Sequence, residues 1–573
     1  MAVIGIDLGT TNSLACIWKD GAPVVIKNSL GSHLTPSVVG IDDSDNIVVG
    51  NVAKERLISH PDKTASEFKR TMGTKTEYSL GSQKFTSEQL SSLVLKKIKE
   101  DSEAVLGEEV TEAIISVPAY FDDYRRNATK QAAEMSGLKV ERLINEPSAA
   151  ALAYMQKHGF EDGTYMVVDF GGGTLDVSII DSFDNVMEIL AVAGNNQLGG
   201  KDFNEAIYKA FLADNGLNDD VLTPSERASI YKMAENCKIA LTDTPICVMS
   251  VNIGDEKFTL TLDNNTLIKI GHEVFEKIGE PIRRVLHDSH VNIQEIKDII
   301  LVGGSCKMPT VAAYIEKLTG RAPCTDLNPD TAIAIGAGIF AGMKSRNEQF
   351  KDIILTDICP FSLGISMHDH RTQENIMDFI IQRNSMLPSS KTHSYYAVAD
   401  NQTQFRVTIY QGESIIPDKN IKLGQLTIPV PPTPMHGYLG DVKLTYDING
   451  ILIVDVKSNE NVDYTKVILS ESNTMSKAEL DRCKAQLDVL RLASPDNEKQ
   501  ELLIARAERI IEETLSFERQ IIVDALLNFR MCLENGNDHD IRRATTKFAQ
   551  FLDMIEGNST RLPGEEPDGG DDE

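Results

Sequence analysis

The stretches AVIGIDLGTTNSLACIW (Ala2–Trp18) and TYMVVDFGGGTLDVSII (Thr164–Ile180) repeat one pattern. An apolar strand ends at an Asp, the chain turns through glycine and threonine, and a second apolar strand leaves. Glycine turns let backbone N–H groups approach phosphate oxygens without a Cβ in the way, and an Asp at the end of each first strand can hold a cation between the two loops. Two such hairpins facing each other predict a bound nucleoside triphosphate with its metal. A strand followed by Asp-x-Gly is on its own an ordinary hairpin turn. The second copy, and a third glycine turn in ILVGGSCKMP that leads from a strand to a helix N-terminus, weigh against coincidence.

The chain has 573 residues, more than one core supports, so two or more domains are expected. Apolar residues make up 41% and charged residues 25%, which argues against a wholly disordered or fibrous chain. The 57 basic residues against 85 acidic ones leave −28, which opposes binding to nucleic acid or to an anionic membrane. Eight cysteines are scattered without a CxxC pair or a His at zinc spacing, so reduced, packed thiols are expected. No apolar run is long enough to span a bilayer and the N-terminus enters a strand at once, which predicts a cytoplasmic protein. A monomer is the default.

Residues 1–351 alternate strand-like and helix-like runs, an α/β texture. Residues 352–357 (DIILTD) form a short apolar run between two acids. Residues 358–472 change to period-two strands with polar turns, Asn449-Gly450 being a strong hairpin signal. Over 473–556 the period becomes helical, with Lys477–Leu492, Asn497–Leu515, Glu518–Glu534 and Asp538–Ile555 amphipathic, and their order suggests a helical cap on the β module. Residues 557–573 end in PGEEPDGGDDE, read as a disordered acidic tail.

IGIDLGTTNS, VPAYFDDYRRNATKQAA, NEPSAAALAY, DFGGGTLDVS, LGGKDFN, ILVGGSCKMP and NPDTAIAIGAG occur in that order. Together with the acid-flanked linker and DNQTQFRVTIYQGE, they resemble the signatures of the DnaK-type heat shock protein 70 chaperones over nearly the whole chain. The resemblance implies a multidomain protein: an α/β actin-like (ribonuclease-H-like, duplicated) ATPase domain, a β-sandwich that grips extended peptide, and an α-helical lid. ATP or ADP, Mg2+ and K+ are the implied ligands. Unfolded or extended client polypeptides and a J-domain co-chaperone are the implied partners, with dependence on a nucleotide-exchange factor left open.

By the same resemblance Asp7 and Asp169 organise the metal, Glu146 orients the attacking water, and Lys69 sits at the γ-phosphate. Gly9, Thr10, Thr11 and Asn12 from one lobe, and Gly171, Gly172, Gly173 and Thr174 from the other, surround the phosphates. Gly199, Gly200 and Gly303 also bind the nucleotide, and Glu235, Lys238, Thr242, Gly304, Ser305, Lys307 and Asp330 form its adenosine end. These roles agree with phosphoryl transfer, which is positioning plus charge neutralisation. Pro118 and Arg126, with the linker residues Ile353, Ile354 and Leu355, are the implied coupling elements. Arg142, Asn145 and Asp357 lie where family members meet J-domain partners. Three exposed apolar linker residues favour a groove, so docking in one nucleotide state and release in the other make a two-state switch.

The chain also departs from the family pattern. Ile365, His368, Val398 and Phe405 fall at the peptide site. Val398 and His368 replace an Ala and a Met of the arch, and Phe405 replaces a smaller Val at the central pocket. A benzyl group there shrinks the pocket by overpacking, unless the ring turns toward the core. Lys307 and Ile239 stand where many relatives carry Arg, which weakens stacking on adenine. A short TMGTKTEYSLGSQKFTSEQ segment and a compact CVMSVNIGDEKFTLTLDNN hairpin suggest a specialised member resembling the HscC type, less dependent on an exchange factor. A small-molecule kinase of the same superfold has no use for the linker and β module. A regulator that scarcely hydrolyses ATP does not explain the intact Asp7, Lys69, Glu146, Asp169 and Thr174.

Overall fold

The structure, a computed structural model, describes residues 2–254, 256–344, 353–369, 372, 374–448, 450–458, 463–468, 475, 477–490, 492, 497–514 and 516–559. Asp352, Asn449 and the acidic tail from Pro563 lie outside the described residues.

The repeat quoted above becomes two sheets of the same design. In the first, strand Ala2–Leu8 pairs antiparallel with Asn12–Lys19 and parallel with Val110–Val117, which in turn pairs with Lys139–Asn145. In the second, Gly163–Phe170 pairs antiparallel with Leu175–Phe183 and parallel with Ile296–Val302. The strands Ala2–Leu8 and Gly163–Phe170 are buried over nearly their whole length and read as near-continuous apolar runs. Ile4 and Ile6 are fully buried, each contributing about 1.5–3 kcal/mol of burial.

Two helices, Glu146–His158 and Ala332–Lys344, cross between these sheets. Their approach depends on missing side chains: a Cβ on Gly336 would lie 1.8 Å from the Ala149 carbonyl oxygen. That contact is backbone to backbone and cannot be relieved by a rotamer change. The helix Asp123–Met135 follows Val110–Val117 and starts at Asp122, whose carboxylate accepts from the Arg125 N–H at 3.0 Å. This places Asp122 as its N-cap.

Residues 363–468 form two four-stranded antiparallel sheets face to face. One runs in the order Glu374–Ile381, Leu363–Asp369, Gln402–Gln411, Ile421–Thr433. The other runs Ser389–Tyr396, Tyr438–Tyr446, Leu452–Ser458, Asp463–Ile468. Val407, Ile409, Leu444 and Val454 fill the space between them. The sandwich sits against the first lobe: the Tyr120 and Phe361 rings are 4.4 Å apart, the Asp123 N–H donates to Gln411 at 3.3 Å, and the Tyr124 hydroxyl donates to the Lys422 carbonyl. Arg383 on the sandwich pairs with Asp288 of the second lobe at 2.7 Å.

Four helices follow: Lys477–Val489, Glu498–Glu513, Ser516–Asn535 and Asp538–Ser559. Here the structure differs from the expected cap on the β module, because the first two lie on the first lobe. Glu498–Glu513 lies along helix Asn51–Ser59 of the first lobe, and Lys477–Val489 packs on Asp123–Met135. The physical reason is a set of buried partners that sequence order does not reveal. Leu480 and Leu487 join the first lobe's core, and Ala505 packs with Val38, Val48 and Ala53. The Lys97 ammonium reaches Glu498 at 2.8 Å and Asp101 at 3.1 Å, and Arg509 pairs with Glu55.

The linker is a strand. Ile354–Thr356 pairs parallel with Val186–Asn195 and adds a fifth strand to the second lobe's sheet. Ile353 and Leu355 pack against the core between the lobes while Ile354 stays exposed, the alternation expected of a half-buried strand.

Candidate functional site

The two glycine turns face each other across a cleft of about 300 Å³, the low end of the usual range for a small-molecule site. Asp7 closes the strand of one turn and Asp169 that of the other. Backbone contact between the turn and the helix behind it needs glycine: a Cβ on Gly199 would lie 2.3 Å from the Gly172 carbonyl carbon. The Gly200 N–H donates to the Gly171 carbonyl at 3.0 Å, and Ser305 Oγ donates to the same oxygen at 2.7 Å. The second turn is therefore held from two sides.

At the closed end Lys69 donates to Glu146 at 2.9 Å, both side chains about 95% buried (each 5% exposed). Lys69 sits in the short turn Phe68–Thr71, and Glu146 is the first residue of its helix, with Pro147 in the first turn. Burial works against the Lys69 ammonium, yet Glu146 and Asp7 outweigh it and hold its pKa above the ordinary lysine value. Asp7, which accepts from Ser116 Oγ at 2.8 Å, is pushed up to about 7 by burial and then by Glu146. Asp169 is raised well above the carboxylate range by burial and by Glu146. Asp176, which sequence reading did not single out, accepts from the Tyr120 N–H at 2.8 Å and is pushed up to about 7 by burial and Glu146.

Four buried carboxylates thus surround one ammonium, an arrangement that disfavours their joint ionisation without further positive charge. Asp169 Oδ2 and Thr11 Oγ1 are buried without a hydrogen-bond partner. The carboxylate oxygen is a hard donor, suited to Mg2+. The residues fit a metal-bound phosphate.

Nearly every residue expected at the nucleotide from sequence lines this cleft: Asp7, Gly9, Thr10, Thr11, Asn12, Lys69, Glu146, Asp169, Gly171, Gly172 and Thr174 at the phosphate end, and Glu235, Lys238, Thr242, Gly303, Gly304, Ser305, Lys307 and Asp330 at the other. Gly173, Gly199 and Gly200 are buried just outside its lining. Lys238 donates to the Gly200 carbonyl at 3.0 Å, and burial lowers its pKa to about 8. Lys307 is engaged with Asp330 across the rim.

Lys54 and Lys201 also line the cleft and were missed. Lys201 was legible, directly after Gly199-Gly200. Lys54, 3.9 Å from Glu235 on the opposite lobe, carries no local signal. Two further ion pairs span the lobes, Arg70 to Asp202 at 2.8 Å and Lys201 to Glu67 at 2.6 Å.

From Lys69 a continuous set of contacts runs outward. Its Nζ lies 5.6 Å from the centroid of the Phe121 ring, and Arg126 donates to the Phe121 carbonyl at 3.1 Å and to Asn145 Oδ1 at 2.7 Å. Pro118, expected in the same relay, accepts the Phe121 N–H at 3.1 Å. On the helix that begins with Glu146, Ser148 Oγ donates to Asp357 at 2.8 Å. Arg142 lies over the Phe340 ring at 4.6 Å and shares a second cleft with Ile353 and Leu355.

The residues expected at the peptide site divide. Ile365 and Phe405 are buried in the sandwich core, 2% and 4% exposed. Of the two orientations open for Phe405, its ring takes the one that shares a face with Val407 and Ile409, 6.0 Å from the Tyr395 ring. The alternative orientation is the one adopted, because burying the benzyl group in the core removes its apolar surface from water. Val398 is 42% exposed and His368 half-buried.

A duplicated lobe design around a cleft built for a metal-bound phosphate defines a nucleotide hydrolase of the two-lobed α/β class. A model of the Hsp70 protein family matches residues 3–80 and 75–525. The chain belongs to the Hsp70 family. It is accordingly an ATPase and an ATP-dependent chaperone that binds ATP and ADP and acts in protein folding. No helix among the described residues is long and apolar enough to cross a membrane.

Proposed function

We propose that hydrolysis in the cleft is coupled to a peptide clamp, with residues 1–351 as the ATPase domain, 352–357 as the linker, 358–472 as the clamp and 473–556 as its lid. The observation that carries the reading is a single helix, Glu146–His158. It begins with the carboxylate that grips Lys69, and two residues on, Ser148 holds Asp357 at the end of the docked linker. A change of charge at Glu146 is then felt two residues on, at the contact that holds the segment leading into the sandwich.

Asp7 and Asp169 would hold Mg2+, which neutralises phosphate charge when bound. Lys69 places a positive charge where negative charge develops, and Glu146 accepts a hydrogen bond from the attacking water and orients it. K+ accompanies the nucleotide. The linker edge, with Ile354 exposed, Arg142 in the cleft beside it and Asn145 and Asp357 buried, is the J-domain surface. Val398, exposed where many relatives carry an Ala, and His368, where they carry a Met, support a clamp with an unusual client range, in a specialised member similar to the HscC type. The docked linker, sandwich and helices correspond to the open, ATP-bound arrangement.

The test is fluorescence anisotropy with a labelled, Leu-rich extended peptide. Release at least tenfold faster with ATP than with ADP is expected. Equal rates in the two nucleotides would overturn the coupling, and tight binding with a conventional side-chain preference would overturn the unusual client range.

A further inference from the structure

Away from the nucleotide, three side chains of different chemistry converge where the helix Glu146–His158 ends. The ligand atoms of His158, Cys324 and Asp326 all lie within 4.8 Å of one another, His158 Nε2 and Asp326 Oδ2 being 3.9 Å apart. We propose that they form a site for a borderline divalent transition metal, with Zn2+ as the reference ion. A thiolate, an imidazole and a carboxylate are the donor set such ions select, whereas Mg2+ and Ca2+ take oxygen alone.

The ligands are placed by the fold. The Cys324 N–H donates to the Ile299 carbonyl at 2.7 Å, and a bridge from Ile300 fixes Cys324 at the edge of the second sheet. The His158 ring stacks on Tyr154 at 4.4 Å, and the Tyr154 hydroxyl is anchored on Asp298 at 3.0 Å, so the imidazole has an orienting support behind it. Lys157 donates to the Asp326 carbonyl at 2.5 Å, which holds the loop and leaves the Asp326 carboxylate outward. With metal–ligand bonds of about 2.0–2.3 Å, tetrahedral ligand separations come to about 3.3–3.8 Å. The half-exposed His158 and Asp326 side chains, 31% and 62% exposed, can close that difference by rotation.

Three protein ligands leave a fourth position open to water. Binding converts the Cys324 thiol to a thiolate and releases one proton to solvent, and the thiolate and the carboxylate together balance the charge of the ion. The ion would tie the end of the helix to the loop that continues to Pro329 and Asp330 in the nucleotide cleft.

The experiment is a Co2+ titration of the full chain, with MgADP saturating the nucleotide cleft. A thiolate-to-cobalt charge-transfer band in the near ultraviolet is expected, stoichiometric at one ion per chain and displaced by Zn2+. Cys324→Ser is expected to abolish the band, and His158→Gln and Asp326→Asn to weaken Co2+ binding at least tenfold. No band in the wild-type protein, or an undiminished band in Cys324→Ser, would overturn the proposal. So would unchanged affinity in both His158→Gln and Asp326→Asn, whose exposed side chains leave the fold intact.

Discussion

Replacing Arg509 by Met isolates what holds the C-terminal helices on the first lobe. The guanidinium is 8% exposed and meets three carboxylates: Glu55 across the interface, and Glu513 and Glu556 within the helices. Only the Glu55 contact belongs to docking. A hydrogen bond to a charged group contributes about 1.5–3 kcal/mol, and Glu55, 21% exposed, keeps Lys232 at 3.7 Å after the change. That residual partner and partial solvation reduce the loss to about 1–2 kcal/mol, which shifts the docking equilibrium about 5–30-fold toward release.

Hydrogen exchange read by mass spectrometry on peptides from Asn51–Ser59 and Glu498–Glu513, with ATP bound, measures that shift directly. Arg509→Met is expected to raise exchange in both peptides, and in a cycle with Glu55→Gln the two changes are expected to be strongly non-additive. Unchanged exchange at Asn51–Ser59, or full additivity with Glu55→Gln, would refute the claim that this pair fastens the interface.

Asp123, at the sandwich interface, is pushed up to about 8 by burial and by Asp122, with Arg126, Lys130 and Asp447 also facing it. The docked state therefore binds a proton that the solvated carboxyl has released, so docking weakens as pH rises from about 4 to about 8. Asp123→Asn is expected to remove this slope in the same exchange measurement between about pH 6 and about pH 8. Gly336→Ala places a methyl 1.8 Å from the Ala149 carbonyl oxygen, and thermal unfolding is expected to report a loss of about 3 kcal/mol. Lys69→Ala leaves Glu146 buried without its cation, and single-turnover hydrolysis is expected to fall by a factor of about 100 or more. An unchanged rate would remove Lys69 from the catalytic assignment.

Local chemistry was legible in the chain wherever it depends on neighbours in sequence. The Asp-turn-Gly repeat specifies two hairpins because a strand, a turn and a returning strand are chosen by the same few residues, and the structure places both at one cleft. Glu235 and Lys238, three residues apart on helix Pro224–Ala240, share a face, and together with Thr242 in the turn just beyond its end they line that cleft. The alternation in Gln402–Gln411 identified a half-buried strand but left the facing of Phe405 open, since period two distinguishes the faces without naming the buried one.

What tertiary structure alone decided are the meetings of distant segments. The C-terminal helices lie on the first lobe because Lys97, Glu55 and the Val38–Val48 surface supply their partners, and nothing in an amphipathic pattern says which apolar face it will cover. Lys54 reaches the nucleotide cleft from a helix with no motif. His158, Cys324 and Asp326 carry no metal spacing along the chain, and they converge only because the parallel pairing of Gly163–Phe170 with Ile296–Val302, and the bridge from Ile300 to Cys324, bring the end of one helix beside the loop that follows helix Pro309–Thr319. Sequence sets the chemistry of each group. The packing of elements that are remote in the chain sets which groups share a site.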